Sequence, residues 1–203
     1  MINDSKKVIL DETAWRLLLL DARTHKAWIN KPIADDLLKR LYNLVRMAPT
    51  AMNIQPIRLL FVKSREAKER LRPTLDHGNV DKTMAAPVTV IIAYDTEFYH
   101  KMPKLVPHDP DAGKRIAARE SEAIIRMALA SATLQAGYLI LAARGLGLDC
   151  GPMGGFNANR VDVEFLPEGK WKSFLLLNLG YGDSSQLIAR APRLEFDEAC
   201  EII

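Results

Sequence analysis

MALASATLQAGYLILAARG, residues 127–145, admits two readings with opposite consequences. As a membrane span it would make the chain an integral membrane protein; as a core helix it becomes the longest element of a globular fold. Only about 17 residues separate Arg126 from Arg144, fewer than the roughly 20 that cross a bilayer, and Ser131, Thr133 and Gln135 interrupt the run. The segment from about 117 to 144 is therefore expected to be a soluble helix buried on most sides and ended by Gly145 as its C′ residue. Ala128, Ala130, Ser131, Ala132, Ala136 and Gly137 let another backbone approach it closely. Its apolar surface exceeds what one chain of 203 residues easily covers, which predicts an isologous homodimer.

Around this helix, elements of both kinds succeed one another. ETAWRLLLLDA (12–22) reads as a helix, followed by a loop from Arg23 to Pro32. Leu37, Leu38, Leu41, Leu44, Val45 and Ala48 share one helical face that Pro49 terminates. IRLLFV (57–62) reads as a strand, and Ser64 as the N-cap of a helix over 64–75. APVTVIIAY (86–94) has the near-continuous β-branched run of a strand buried on both faces. Residues 98–115, with three prolines, four positive residues and two histidines, read as a long exposed loop or lid. A strand near 148–150, a helix over 158–165 and a strand over 172–182 complete the pattern. Without a regular βαβ rhythm, the fold class is α+β.

Composition narrows the function. A net charge of +3, from 28 Lys and Arg against 25 Asp and Glu, is too small and too evenly spread for a nucleic-acid module. The start, MINDSKKVILDETAW, shows no secretory leader, which places the protein in the cytoplasm. Cys150 and Cys200 have no CxxC spacing and read as reduced thiols. The glycine run GLGLDCGPMGG (145–155) fails as a dinucleotide fingerprint: Cys150 stands where Gly or Ala is needed, and a helix precedes it. No P-loop, no nucleophile elbow and no HExxH spacing occurs, so hydrolase and metal sites are not expected.

What remains are polar residues at junctions. Arg23 and His25, two apart in an extended segment, point to one side and could reach a phosphate, with the Thr24 hydroxyl assisting. In PTAMNIQP (49–56), Thr50, Asn53 and Gln55 decorate a tight connection; their side chains either meet the edge of a planar heterocycle or simply cap the turn.

These stretches together resemble the flavin-dependent nitroreductase family. RTHK (23–26), APTAMNIQP (48–56), GPMGGF (151–156) and GYGDSSQLIARAPR (180–193) match its landmarks in order and spacing, nearly from end to end of the chain. The closest likeness is to the malonic semialdehyde reductases of pyrimidine breakdown, which share the DHGN and GPMGGF stretches. The resemblance implies one FMN-binding domain over 1–203, a three-layer sandwich with a central, mainly antiparallel sheet flanked by helices, and an intertwined homodimer. It implies that Arg23, Thr24 and His25 lie near the FMN phosphate and ribityl chain, and that Arg190, with Arg193 as a second candidate, returns to that phosphate. It puts Pro49, Thr50, Ala51 and Asn53 at the partner subunit's flavin or their own. Pro152, Met153, Gly154 and Gly155 would line the isoalloxazine, with Gly154 where many relatives carry Glu. An FMN phosphate carries nearly two negative charges, which forked guanidinium donors suit.

The implied activity is hydride transfer from NADH or NADPH through FMN to a small acceptor, in the first place malonic semialdehyde, giving 3-hydroxypropionate. The alternatives are a broad nitroaromatic or quinone reductase, and a flavin-binding protein without turnover. No single catalytic side chain is demanded, since the flavin performs the hydride chemistry. His100, Lys101 and Lys104 of the expected lid are candidates for recognising a carboxylate or protonating a nascent alkoxide.

Overall fold

The β-branched run becomes the centre of a sheet. In the computed structural model, which describes residues 9–203, Val88–Asp95 forms strand β2, with Val88, Val90, Ile91, Ile92 and Ala93 wholly buried. The expectation that the start carries no secretory leader rests partly on residues 1–8, which lie outside the described residues. β1 (Ile57–Val62) pairs with β2, β2 with β4 (Trp171–Gly180), and β4 with β3 (Asp149–Met153), giving the order β1-β2-β4-β3 with every pairing antiparallel. One row crosses the whole sheet through Leu60, Ile91, Leu176 and Met153.

Helices cover both faces. α1 (Glu12–Trp15) opens the described chain, and α2 (Asp35–Val45) turns Leu38, Leu41 and Val45 inward. The buried residues of α2 join those of the long helix, Ala132, Ala136, Leu139 and Ala143, in one apolar cluster with Val88, Val90, Ile92, Leu177 and Leu179 of the sheet. On the other face, α3 (Arg65–Leu71) and α8 (Ala158–Phe165) pack Leu71 and Val161 against Val62, Ile91, Met153 and Leu176. The result is the three-layer α+β arrangement expected. Ser64 caps α3 through the Ala67 amide. The short α4 (Val80–Ala85) enters β2 through Ala86 and Pro87.

Three expectations need correction. The helix over 12–22 does not continue as an α-helix: after Trp15 it widens into a π turn, Arg16–Leu20, closed by the Asp21 amide on Arg16 O. The segment 98–115 is no open loop. It contains a helical turn at Phe98–Lys101, α5 (Met102–Leu105) and the start of α6 (Ala112–Ala117), and its Phe98, Met102 and Ala112 are wholly buried in a cluster with Ile54, Ile116 and Ala128. The apolar members of the segment outweigh its prolines, which sit at helix starts and turns where their missing N–H costs nothing.

The third correction concerns the long helix, α7 (Ser121–Gly145). It is separate from α6, and one stripe of it is buried, running from Ile124 through Ser131 and Gln135 to Ala143. That stripe makes it a core helix, although its length and composition alone would suit a membrane span. The rest of its circumference is open in a single chain, with Ile125 at 41% and Leu129 at 37% exposure on one side of the stripe and Leu134 at 47% and Tyr138 at 41% on the other. Its C′ residue is Gly147, not Gly145. Gly147 has φ +76°, its amide donates to Arg144 O, and Leu148 N–H donates to Ala143 O at 2.9 Å, the Schellman pattern.

Lys68 of α3 is 3% exposed, and its burial pushes the ammonium down to about 7 from an ordinary 10.5. The unfolded chain therefore binds one more proton than the folded one between those values, so this group makes stability rise with pH from about 7 towards 10.5. Lys68→Met, which has no proton to lose, should flatten that rise in urea titrations run across the window. An unchanged slope would show that Lys68 keeps its ordinary affinity for the proton.

Candidate functional site

Three groups of candidate residues can be traced in one chain. The first lies where the chain enters β3. Thr24 forms a parallel bridge with Cys150, so its neighbours Arg23 and His25 turn the other way and line a cleft of about 270 Å³ with Arg16, Arg144, Asp149 and Ser184. The C-terminal segment folds back onto this spot. Arg23 donates to Ile188 O at 2.6 Å, and Arg190 donates to Leu20 O at 2.7 Å and Ala22 O at 3.0 Å. Arg23 and Arg190, 167 positions apart, thus brace each other's segments, and each keeps guanidinium N–H groups beyond these contacts. Arg193 does not join them: it folds onto the carbonyls of Ala191 and Pro192.

His25 is no flexible surface donor. Its ring is buried, Nε2 stands 3.5 Å from an Asp149 oxygen, and Nδ1 has no partner. A Cβ on Gly182 would fall 2.0 Å from that Nδ1, so only glycine lets the ring sit there. A buried polar atom without a partner marks a place where something polar is missing. The second acid beside it, Asp183, is held below the usual carboxylate range by hydrogen bonds from Ser185 and by the nearby His25. Cys150 is inert: burial pushes its thiol up to about 12.

The second group lies at the far end of β3. Pro152 is half-buried and Gly154 exposed, but Met153 turns its side chain into the core, where its sulfur receives the Thr83 hydroxyl at 3.5 Å. Only the backbone of Met153 is available to a ligand on this edge. Gly155 is needed for close approach: Asn79 Nδ2 donates to its carbonyl, and a Cβ there would lie 2.4 Å from the same nitrogen. Asn79 belongs to this edge and was not singled out by itself from the sequence. Its signal was the DHGN stretch, noticed only as a likeness.

The third group is the connection Pro49–Pro56, whose polar side chains cap the turn within one chain. Met52, Asn53 and Gln55 take φ of 50°, 56° and 42°, a left-handed region that costs a side-chain-bearing residue about 1 kcal/mol or more. The segment's own polar groups hold it there. Thr50 Oγ1 accepts from the Gln55 amide, Asn53 Nδ2 donates to Leu105 O, and Gln55 Nε2 donates to Asn53 Oδ1. From outside, Ser131 accepts from the Ala51 amide, Gln135 from the Ile57 amide, and Arg58 donates to Gln55 O. Pro49, Ala51, Met52 and Asn53 face solvent.

The first two groups share the β3 edge. The third does not: it leads into β1, at the other edge of a four-stranded sheet and three strand spacings, or about 14 Å, away.

An antiparallel four-stranded sheet between helical layers, with a cation-lined cleft on one edge strand, is an α+β fold of the nitroreductase type. Residues 19–181 match the sequence model of the Nitroreductase family, and the chain belongs to that family. It is 51% identical over 186 residues to a protein of Ralstonia nicotianae provisionally named an NADH dehydrogenase/NAD(P)H nitroreductase, covering 92% of this chain and 94% of that one. A relative of the same provisional name from Stutzerimonas stutzeri is 52% identical over 191 residues, covering 94% and 96%. Among solved structures, a nitroreductase-type protein of Exiguobacterium sibiricum in complex with FMN superposes with a TM-score of 0.85 at 18% identity, covering 98% of this chain and all of that one. A Bacillus subtilis protein of the same type gives 0.85 at 18%, covering 95% and 100%.

Proposed function

We propose that the protein is an FMN-dependent NAD(P)H oxidoreductase. The observation that carries the reading is the cleft at the start of β3, lined by Arg23 and by His25 with its partnerless Nδ1, next to which Arg190 fastens the segment that carries Arg23. Two forked cations and a buried imidazole suit a phosphate monoester. Family membership, the provisional names of the relatives and the FMN in the Exiguobacterium structure support the same cofactor. Bound FMN would supply the hydride chemistry at its N5. Arg23, Arg190 and His25 would hold its phosphate, and the backbone of Pro152–Gly155 with Asn79 would receive its ring system. An absorption spectrum of the purified protein, followed by mass spectrometry of the released chromophore, tests this reading. A colourless protein that takes up no FMN overturns it. Oxidation of NADH or NADPH with an added acceptor separates an enzyme from a flavin carrier.

The site is built from two chains in this reading. The Pro49–Pro56 connection lies too far from its own β3 edge to serve the same flavin, whereas the open circumference of α7 offers a surface for a second copy. Thr50 and Asn53 would then stand at the partner's flavin, and the protein would be a cytoplasmic homodimer.

For the acceptor we infer malonic semialdehyde, reduced to 3-hydroxypropionate. Exposed His100, Lys101 and Lys104 sit on a helical segment that leans on the Pro49–Pro56 connection through the Asn53 to Leu105 hydrogen bond. A lysine there would hold a carboxylate without touching the hydride step, so binding and turnover should separate. Malonic semialdehyde should show a higher kcat/KM than an uncharged aldehyde of equal length, and Lys101→Ala or Lys104→Ala should raise KM far more than it lowers kcat. Equal kcat/KM for the two aldehydes would favour the broad nitroaromatic or quinone reductase that the relatives' names describe.

A further inference from the structure

Helix α4 ends inside the protein. The last carbonyls of a helix have no intrahelical partners, and burying them unpaired is costly. Three side chains from three other elements meet them. Trp28 Nε1 donates to Lys82 O at 3.0 Å, Asn178 Nδ2 donates to the same oxygen at 3.3 Å, and Lys68 Nζ donates to Thr83 O at 2.8 Å. Lys68 also donates to the Thr89 hydroxyl, which in turn donates a hydrogen bond to Asn178 Oδ1. The partners of this buried ammonium are a carbonyl and a hydroxyl, not a carboxylate. Lysine is almost never found fully buried in such company. The donors it offers meet the carbonyl end of a helix, where they are needed, although burial disfavours the charge itself.

A methionine would fill the same space with no charge to desolvate but would leave Thr83 O without its side-chain donor, so what Lys68 supplies is the cap on α4, and its consequence lies in what α4 carries. Its N-cap residue Asn79 holds Gly155 O, and its Thr83 hydroxyl donates to the sulfur of Met153. Both ends of the Met153–Gly155 turn are therefore fastened to α4. Six residues are too few to keep a helix in place unaided.

We propose that Lys68 is a positioning residue for the ligand-bearing edge: from the core it caps α4, and through α4 it sets Asn79 and Thr83 against the Met153–Gly155 turn. The proposal rests on the reading of that edge as the flavin site.

The test compares Lys68→Met and Lys68→Arg with the unaltered protein by FMN titration, visible circular dichroism of bound FMN, urea stability, and amide hydrogen exchange without FMN. Lys68→Met should weaken FMN binding by about tenfold or more and change the visible dichroism, in protein that urea titration shows to be fully folded without denaturant. Exchange should quicken in residues 79–86 and 153–156 and not elsewhere. Lys68→Arg, which keeps charge and donors, should stay within about threefold of the parent affinity. A residue that served stability alone would lower urea stability with exchange quickening throughout the chain and not selectively in 79–86 and 153–156, and that result overturns the proposal. So does unchanged FMN affinity with unchanged dichroism in Lys68→Met. If the unaltered protein takes up no FMN, the flavin reading fails by itself, and exchange in 79–86 and 153–156 still decides whether Lys68 holds the edge.

Discussion

A chain carrying Leu129→Asp and Leu134→Asp is expected to scatter light as a particle of the 22.8 kDa chain mass and to retain no FMN, while the unaltered protein scatters at twice that mass. Both leucines lie on the open circumference of α7, at 37% and 47% exposure, so aspartate there leaves the fold of one chain undisturbed. In a dimer the same positions are covered. Each leucine then forfeits about 1.5 to 3 kcal/mol of burial, and an unpaired carboxylate in its place adds a desolvation penalty. Loss of flavin should follow from loss of the dimer, because Thr50 and Asn53 stand at the opposite sheet edge from Gly154 and Gly155. Variants that remain dimeric would sink α7 as the interface. Variants that become monomeric yet bind FMN as before would sink the two-chain site.

Arg23→Ala and Arg190→Ala are each expected to weaken FMN binding by roughly tenfold or more, from the loss of one charge-assisted pair worth about 1.5 to 3 kcal/mol. Their effects should not add. Arg23 holds Ile188 O and Arg190 holds Leu20 O and Ala22 O, so removing either loosens the segment that presents the other. The double variant should therefore lose less than the product of the two single losses. Lysine at either position should restore only part of the affinity, because it keeps the charge and loses the fork. Equilibrium titration with FMN reads all of this, and full affinity in both alanine variants would remove the phosphate assignment.

Much of the architecture was already written in local sequence. The β-branched run that became β2, the strand over 57–62, the Ser64 cap and the helix over 158–165 each depend on neighbours a few positions away: periodicity, an N-cap, a flanking proline. For residues 127–145 the polar residues inside the run pointed to a core helix, and the buried stripe from Ile124 to Ala143 decided it. The likeness of RTHK, APTAMNIQP and GPMGGF to one family also needed only order and spacing. Where a burial pattern depended on distant partners, the sequence misled. The prolines and charges of 98–115 looked like an open loop, because nothing local says that Phe98 and Met102 find Ile54 and Ala128.

The site shows the same division. Arg23 and Arg190 could be named from motifs, but their mutual bracing, the wedging of His25 against Gly182, and the inward turn of Met153 follow from how β3 packs against the segments around it. Lys68 reads in sequence as one more polar residue of an amphipathic helix, and only the end of α4 meeting it in the core makes it distinctive. Residue type and spacing determined which chemistry this chain carries. Tertiary packing decided which of those groups remain free to use it, because a hydrogen bond or a buried face commits a side chain to partners far away in the sequence.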